Sequence, residues 1–443
     1  MKALRDGDVH AVSVQLKSKL NINMLVNILR NNRSAIYSMI SLAMRMATGP
    51  ISILLVVKSL TIEQQAIYYA FITISSIQWV FELGVTTALV QYIGKEKNKI
   101  KIKAAVKLGT IFYIVMGVCA FLGMNLYASW LFADVDMNLW GGPFLAYASI
   151  IVVNIFNNIC LIIEESQRNA SGLYLKKLIA SISYSMALLL SLYFGCGLYS
   201  LAFGQLAILG TYFITLRKSY SILYSSLKIN NKEVLSVCRE LRNFQSKVAV
   251  VWFVGYCYWN FYSVFIFKYV DTYISAQFGA TNTILSALAF SATALLQTKR
   301  VEVGREISEG KVLKTQERFY FYTFISIIFY LLTSTAIFIS IQYLPVSYGD
   351  RFLPIDIFFQ YAALRLIIMI SEMVLIYFRM FLEEPIYKLT LVNYIVTPLT
   401  CIPSYFFFGS EGLFILPLAI HVIFTFQYFK ELKVFVNEKQ SIC

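Results

Sequence analysis

The chain has 443 residues, of which 58% are hydrophobic and 14% charged, and its formal net charge is +14. That balance excludes an ordinary soluble domain. The basic excess is expected in loops that orient a membrane protein rather than on a nucleic-acid-binding surface. Apolar runs of about 20 residues recur from end to end, which predicts an all-α polytopic membrane protein. No run alternates as the strands of a membrane barrel do.

In chain order, residues 1–33 form a polar, basic N-terminal segment with no cleavable signal pattern. Predicted spans follow at about 34–57, 64–93, 104–126, 143–165, 174–194 and 198–216. A basic connector covers 217–247. Six more spans follow at about 248–270, 275–297, 319–343, 354–385, 386–408 and 412–430, and a tail of 431–443 ends the chain. The connector divides the chain into two lobes of six helices, 34–216 and 248–430, with a substrate path expected between them.

Lysine and arginine test this count. With the N-terminus inside and the loops alternating, 33 of the 38 basic residues fall on the inner side. Only Lys58, Lys268 and Arg351 fall on the outer side, and Arg45 and Arg365 lie within spans. A bias of this size supports twelve helices with both termini cytoplasmic. The seven cysteines are scattered, and His10 and His421 are the only histidines, so neither a disulfide framework nor a metal site is expected. No phosphate-cradling GxxxxGK[ST] loop is present, so no nucleotide cofactor is expected. The short outer loops leave no room for a folded catalytic domain, which argues against an enzyme.

Two arginines deep in different lobes point to an anionic cargo, because a buried charge must face protein or a hydrated cavity. Arg45 and Arg365 are the expected substrate-binding pair. The alternative for each is an internal ion pair, Arg45 with Glu82 or Arg365 with Glu372. Glu372, seven residues beyond Arg365 on one helical face, and Glu82 are the candidates for coupling to H+ or Na+ or for gating. Glu82 has the alternative of capping or pairing with a loop lysine. Asn154, Asn157 and Asn158 offer either sugar contacts or hydrogen bonds between helices. The aromatic group Trp252, Tyr256, Tyr258, Trp259 and Tyr262 offers either sugar stacking or core packing.

The stretches LTIEQQAIYYAF (60–71), FELGVTTALVQYIGKEK (81–97), FQSKVAVVWFVGY (244–256), QFGATNTILSALAFSATALLQTKR (277–300), DRFLP (350–354) and YFRMFLEEP (377–385) occur in order along most of the chain. Together they resemble the polysaccharide transporter family, in particular Wzx-type O-antigen flippases of bacterial inner membranes. The resemblance implies the multidrug/oligosaccharidyl-lipid/polysaccharide exporter fold, two six-helix lobes around a central cavity. It implies a polyprenyl-pyrophosphate oligosaccharide as cargo, moved from the cytoplasmic to the periplasmic leaflet. It also implies membrane lipids, a polysaccharide polymerase and a chain-length regulator as partners. Two other readings remain: a cation-coupled small-molecule exporter of the same fold, which would need an acidic pocket, and a multispan polysaccharide polymerase, which would need a catalytic outer loop.

Overall fold

The computed structural model describes residues 48–442, apart from 50, 83–84, 167–169, 382 and 384. Arg45 and the Gly49-Pro50 kink expected in the first span therefore lie wholly or partly outside the described residues. What is described is helical, with no strand among those residues. Eight helices there are long and apolar enough to cross a membrane, and the protein is a multi-pass membrane protein.

The first half begins with α1 (residues 51–59). The second span is broken into α2 (Ile62–Ser75), α3 (Gln78–Glu82) and α4 (Val85–Lys95). Next come α5 (Lys99–Leu131), α6 (Met137–Ser166), α7 (Ala170–Tyr193) and α8 (Ser200–Thr215). The connector is itself helical. It contains α9 (Arg217–Ser226) and the start of α10 (Asn231–Phe265), which runs on unbroken as the seventh span. The expected boundary at residue 247 thus falls inside one continuous helix. The second half continues with α11 (Thr272–Ser308), α12 (Val312–Gln342), the short α13 (Val346–Gly349), α14 (Ile355–Met380), α15 (Tyr387–Leu399), α16 (Cys401–Phe408) and α17 (Ile415–Ile442). The expected tail is the end of α17.

Local chemistry explains several ends. Thr61 and Gln64 form a reciprocal capping box at the start of α2. Asn98 and Asn230 accept backbone N–H groups at the starts of α5 and α10. Pro354 fixes the start of α14. Pro398 and Pro403 lack the N–H that a continuous helix needs, and the eleventh span divides between them at Thr400.

Within the first half, α7 packs on α8, α5 on α6, and α6 on α8. Within the second, α11 packs on α12, α14 on α17 and on α11, and α15 on α10 and α17. The halves meet mainly where α2 crosses α11 and α5 crosses α10. This is the twelve-helix, two-lobe arrangement expected from the sequence. At the end carrying Lys268 and Arg351, Gln65 Nε2 donates to the Ala276 carbonyl at 3.0 Å, and Gln65 Oε1 accepts from Arg351 Nη1 at 3.2 Å. There the Phe132 and Phe267 rings also meet edge-on at 5.3 Å, and Lys268 pairs with Asp134 at 2.8 Å. At the opposite, basic end the lobes are tied through Glu240, which takes hydrogen bonds from Lys101 at 3.1 Å and Tyr92 at 2.9 Å.

Candidate functional site

Arg365 sits on α14 and is buried, 9% exposed. Its Nη2 donates to Ser286 Oγ of α11 at 2.7 Å, and Ser286 donates to Asn282 Oδ1 at 2.9 Å. Tyr361, one turn before Arg365, donates to the same amide oxygen. Asn282 and Ser286 are four residues apart, so both face α14. The guanidinium lies over the Trp259 ring of α10, 5.1 Å from its centroid. Arg365 Nε has no hydrogen-bond partner, and no ion pair reaches Arg365 among the described residues. Glu372, on the same face of α14, is therefore not its salt-bridge partner here. The result is a fixed cation with one donor unsatisfied and an aromatic wall that is itself 40% exposed. A buried donor left open costs about 1–3 kcal/mol. An arriving anion would satisfy it, and guanidinium matches phosphate or carboxylate oxygens through paired N–H groups.

Further polar groups are buried in this lobe. Tyr258 stacks on Tyr394 with centroids 4.4 Å apart, and His421 lies against the same tyrosine at 6.3 Å. Both ring nitrogens of His421 and the hydroxyls of Tyr258 and Tyr262 lack partners among the described residues. Serine–threonine contacts hold the frame, with Ser371 and Thr425 joining α14 to α17 at 2.8 Å.

The other lobe holds a partly open cavity of about 340 Å³ between α1 and the two described residues just before it, α2, α7 and α8. Thr48, Ser52, Tyr68, Ser181, Tyr184 and Gln205 are among its lining residues, and none of the described lining residues is charged.

The remaining candidates fall as follows. Asn154 Nδ2 donates to both the carbonyl and Oε1 of Gln205, each at 3.0 Å. Asn157 is buried, accepts from the Tyr220 hydroxyl at 2.6 Å and donates to Asn154 at 3.4 Å. Both amides are thus engaged between helices, and Asn154 stands behind the cavity wall through Gln205. Glu82 is buried and accepts from Thr86, whose hydroxyl lies 2.6 Å from that of Tyr113. The lysine pairing considered for Glu82 is replaced by these hydroxyls. Arg45 lies outside the described residues. The structure therefore gathers Arg365 and Glu372 in the second lobe, and Glu82, Asn154 and Asn157 in the first. Sequence reasoning missed Ser286 and Asn282 as holders of Arg365, and the N-lobe cavity. The i, i+4 spacing of Asn282 and Ser286 was the available signal for the former. No group of His, Cys, Asp and Glu suited to a metal occurs among the described residues.

The chain matches no protein-family model and no curated protein. Solved structures do resemble it. An inward-facing multidrug resistance MATE family transporter of the MOP superfamily aligns with a TM-score of 0.66 at 14% identity, covering 91% of this chain and 99% of that one. An outward-facing MATE transporter aligns at 0.56 and 14% identity, covering 92% and 95%. A MOP superfamily transporter from Pyrococcus furiosus, described as having a binding pocket of reverse polarity that suggests a different function, aligns at 0.54 and 13%, covering 92% and 95%. At these identities the likeness is one of fold: the chain has the twelve-helix, two-lobe architecture of MOP superfamily transporters.

Proposed function

We propose that this protein is a flippase for a lipid-linked oligosaccharide, carrying a polyprenyl-pyrophosphate glycan from the cytoplasmic to the periplasmic leaflet of a bacterial inner membrane. The observation that supports this reading is Arg365, a buried guanidinium with an open donor and no ion pair among the described residues. A pyrophosphate is the part of such a cargo that most needs a partner in hydrocarbon, and arginine stays charged there. Arg45 has the same expected role from the first lobe. Glu372 and Glu82, carboxylates on separate lobes, are the residues through which H+ or Na+ would bias one state over the other. Asn154 serves the cargo path by fixing Gln205, while Asn157 holds Tyr220 in the frame. A polymerase, partnered by a chain-length regulator, would consume the flipped product.

A cation-coupled small-molecule exporter is the second reading, favoured by the multidrug transporters among the similar folds. Its cargo would seek a carboxylate rather than Arg365. The two readings separate in proteoliposomes carrying a labelled polyprenyl-pyrophosphate oligosaccharide. Transfer between leaflets by the wild type and its loss in Arg365→Gln is the expected result. Absence of transfer by the wild type under proton and sodium gradients, with drug-cation transport present, would replace the first reading by the second.

A further inference from the structure

The cavity of the first lobe differs in kind from the Arg365 site. Its volume, about 340 Å³, is at the low end of small-molecule pockets, roughly 300–1,000 Å³. Its described lining offers hydroxyls from Thr48, Ser52, Ser181 and Ser185, an amide from Gln205, and the rings of Tyr68 and Tyr184. This set can both donate and accept hydrogen bonds and provides no counter-charge. Hydroxyls and an amide can replace, group for group, the hydration of a neutral polar ligand. Flat aromatic faces beside hydroxyls and an amide suit a ring that is apolar on its faces and polar around its edge.

The wall is built, not incidental. A Cβ on Gly204 would lie 2.7 Å from the Tyr184 ring, so the glycine on α8 creates the seat in which that ring rests. Asn154 holds Gln205 in place from behind. Thr48 donates to Ser185 at 2.9 Å across the helices.

We infer that this cavity is a subsite for one uncharged sugar ring of the cargo, separate from the Arg365 site that holds the pyrophosphate. The inference rests on the flippase reading and divides its cargo between two sites. Asn154 acts in it as a positioning residue.

The test is equilibrium binding to the full chain in lipid nanodiscs. The two probes are polyprenyl pyrophosphate bearing a short neutral oligosaccharide and the same lipid with no sugar. The wild type is expected to bind the glycosylated lipid at least tenfold more tightly. Ser181→Leu fills the cavity, and Gly204→Ala displaces Tyr184. Each is expected to bring the glycosylated lipid down to the affinity of the bare one. Ser181→Thr, which keeps the hydroxyl, should restore most of the preference. Leu190→Ala, about two and a half turns beyond Ser181 and so on the opposite, exposed side of α7, should keep it whole. Equal binding of the two lipids by the wild type overturns the inference, as does a preference that survives both Ser181→Leu and Gly204→Ala. Arg365→Gln tests the other reading separately. If it leaves the affinity for bare polyprenyl pyrophosphate unchanged, the anion site fails while the sugar subsite stands on its own result.

Discussion

Tyr69 of the first lobe lies against Gly279 of the second so closely that a Cβ on the glycine would be 2.3 Å from the tyrosine ring. The contact is where α2 crosses α11, one turn from the Gln65–Ala276 hydrogen bond. A ring has replaced a side chain at the junction, and the two helices approach on that condition. Gly279→Ala forces the ring or the helix to move, and overpacking of this kind costs about 1–3 kcal/mol. The cost falls on the state in which this end is closed. In a cysteine-free background, a cysteine at Ala276, now 1% exposed, is expected to react with a maleimide about tenfold faster when Gly279→Ala is added. Unchanged labelling would show that the contact does not hold this end shut.

Arg365 is held by Ser286 and by the face of Trp259, a geometry that a planar guanidinium fits and an ammonium does not. Arg365→Lys keeps the charge and loses the fork. Its affinity for polyprenyl pyrophosphate is expected to fall about tenfold, with Arg365→Gln falling further. Full binding by the lysine variant would mean that charge alone is read, and that the Ser286 and Trp259 contacts are only packing.

Asn157 accepts from Tyr220 in a buried setting. Asn157→Leu strands that hydroxyl, at about 1–3 kcal/mol. Chemical unfolding in detergent should register the loss, while affinity for the lipid-linked cargo stays within about twofold. A loss of affinity as large as that of Arg365→Gln, at unchanged stability, would place Asn157 in contact with cargo.

Glu240 ties the connector to α4 and α5 at an exposed site, and the hydrogen bond from Lys101, joined by that from Tyr92, holds its carboxyl below the usual carboxylate range. A carboxyl lowered in this way contributes to the tie above its ordinary value of about 4.3 and loses that contribution as pH falls through its lowered one. The tie should therefore be constant between about pH 5 and 7 and release only in stronger acid. Salt acts sooner. Raising ionic strength from about 0.01 to about 1 M shortens the screening length from about 30 to about 3 Å. Disulfide trapping between cysteines at Tyr92 and Glu240's neighbour Arg239 should slow with salt, and Glu240→Gln should remove that salt dependence.

The twelve spans and two lobes were legible because hydrocarbon imposes length and apolarity on each segment separately, and each leaves its own run in the sequence. Arg365 was legible for the same reason, as a charge where none is tolerated without a purpose. What was not legible depends on pairs distant in the chain. Ser286 and Trp259 become neighbours of Arg365 only when α10, α11 and α14 pack. The cavity draws its hydroxyls from α1, α2, α7 and α8, and a scattered serine or tyrosine on any one of them reads as ordinary core. The break in the second span escaped notice; the residue at it, Ser76, finds its side-chain partner Asn260 only across the lobes, at 2.9 Å. The connector was read by its charge as a segment separate from the seventh span, although charge on an exposed helix extending beyond the membrane gives the same composition.

That extension has a mechanical consequence. From Asn231 to Phe265, α10 is a single helix, and it carries Glu240 at one end and Trp259 at the other. At about 1.5 Å per residue the two are about 28 Å apart. Swinging such a shaft by 10° would carry its far tip roughly 5 Å, a stroke within the range of hinged helix movements. A force applied to the connector in the aqueous phase would thus reach the Trp259 wall of the Arg365 site along one continuous helix.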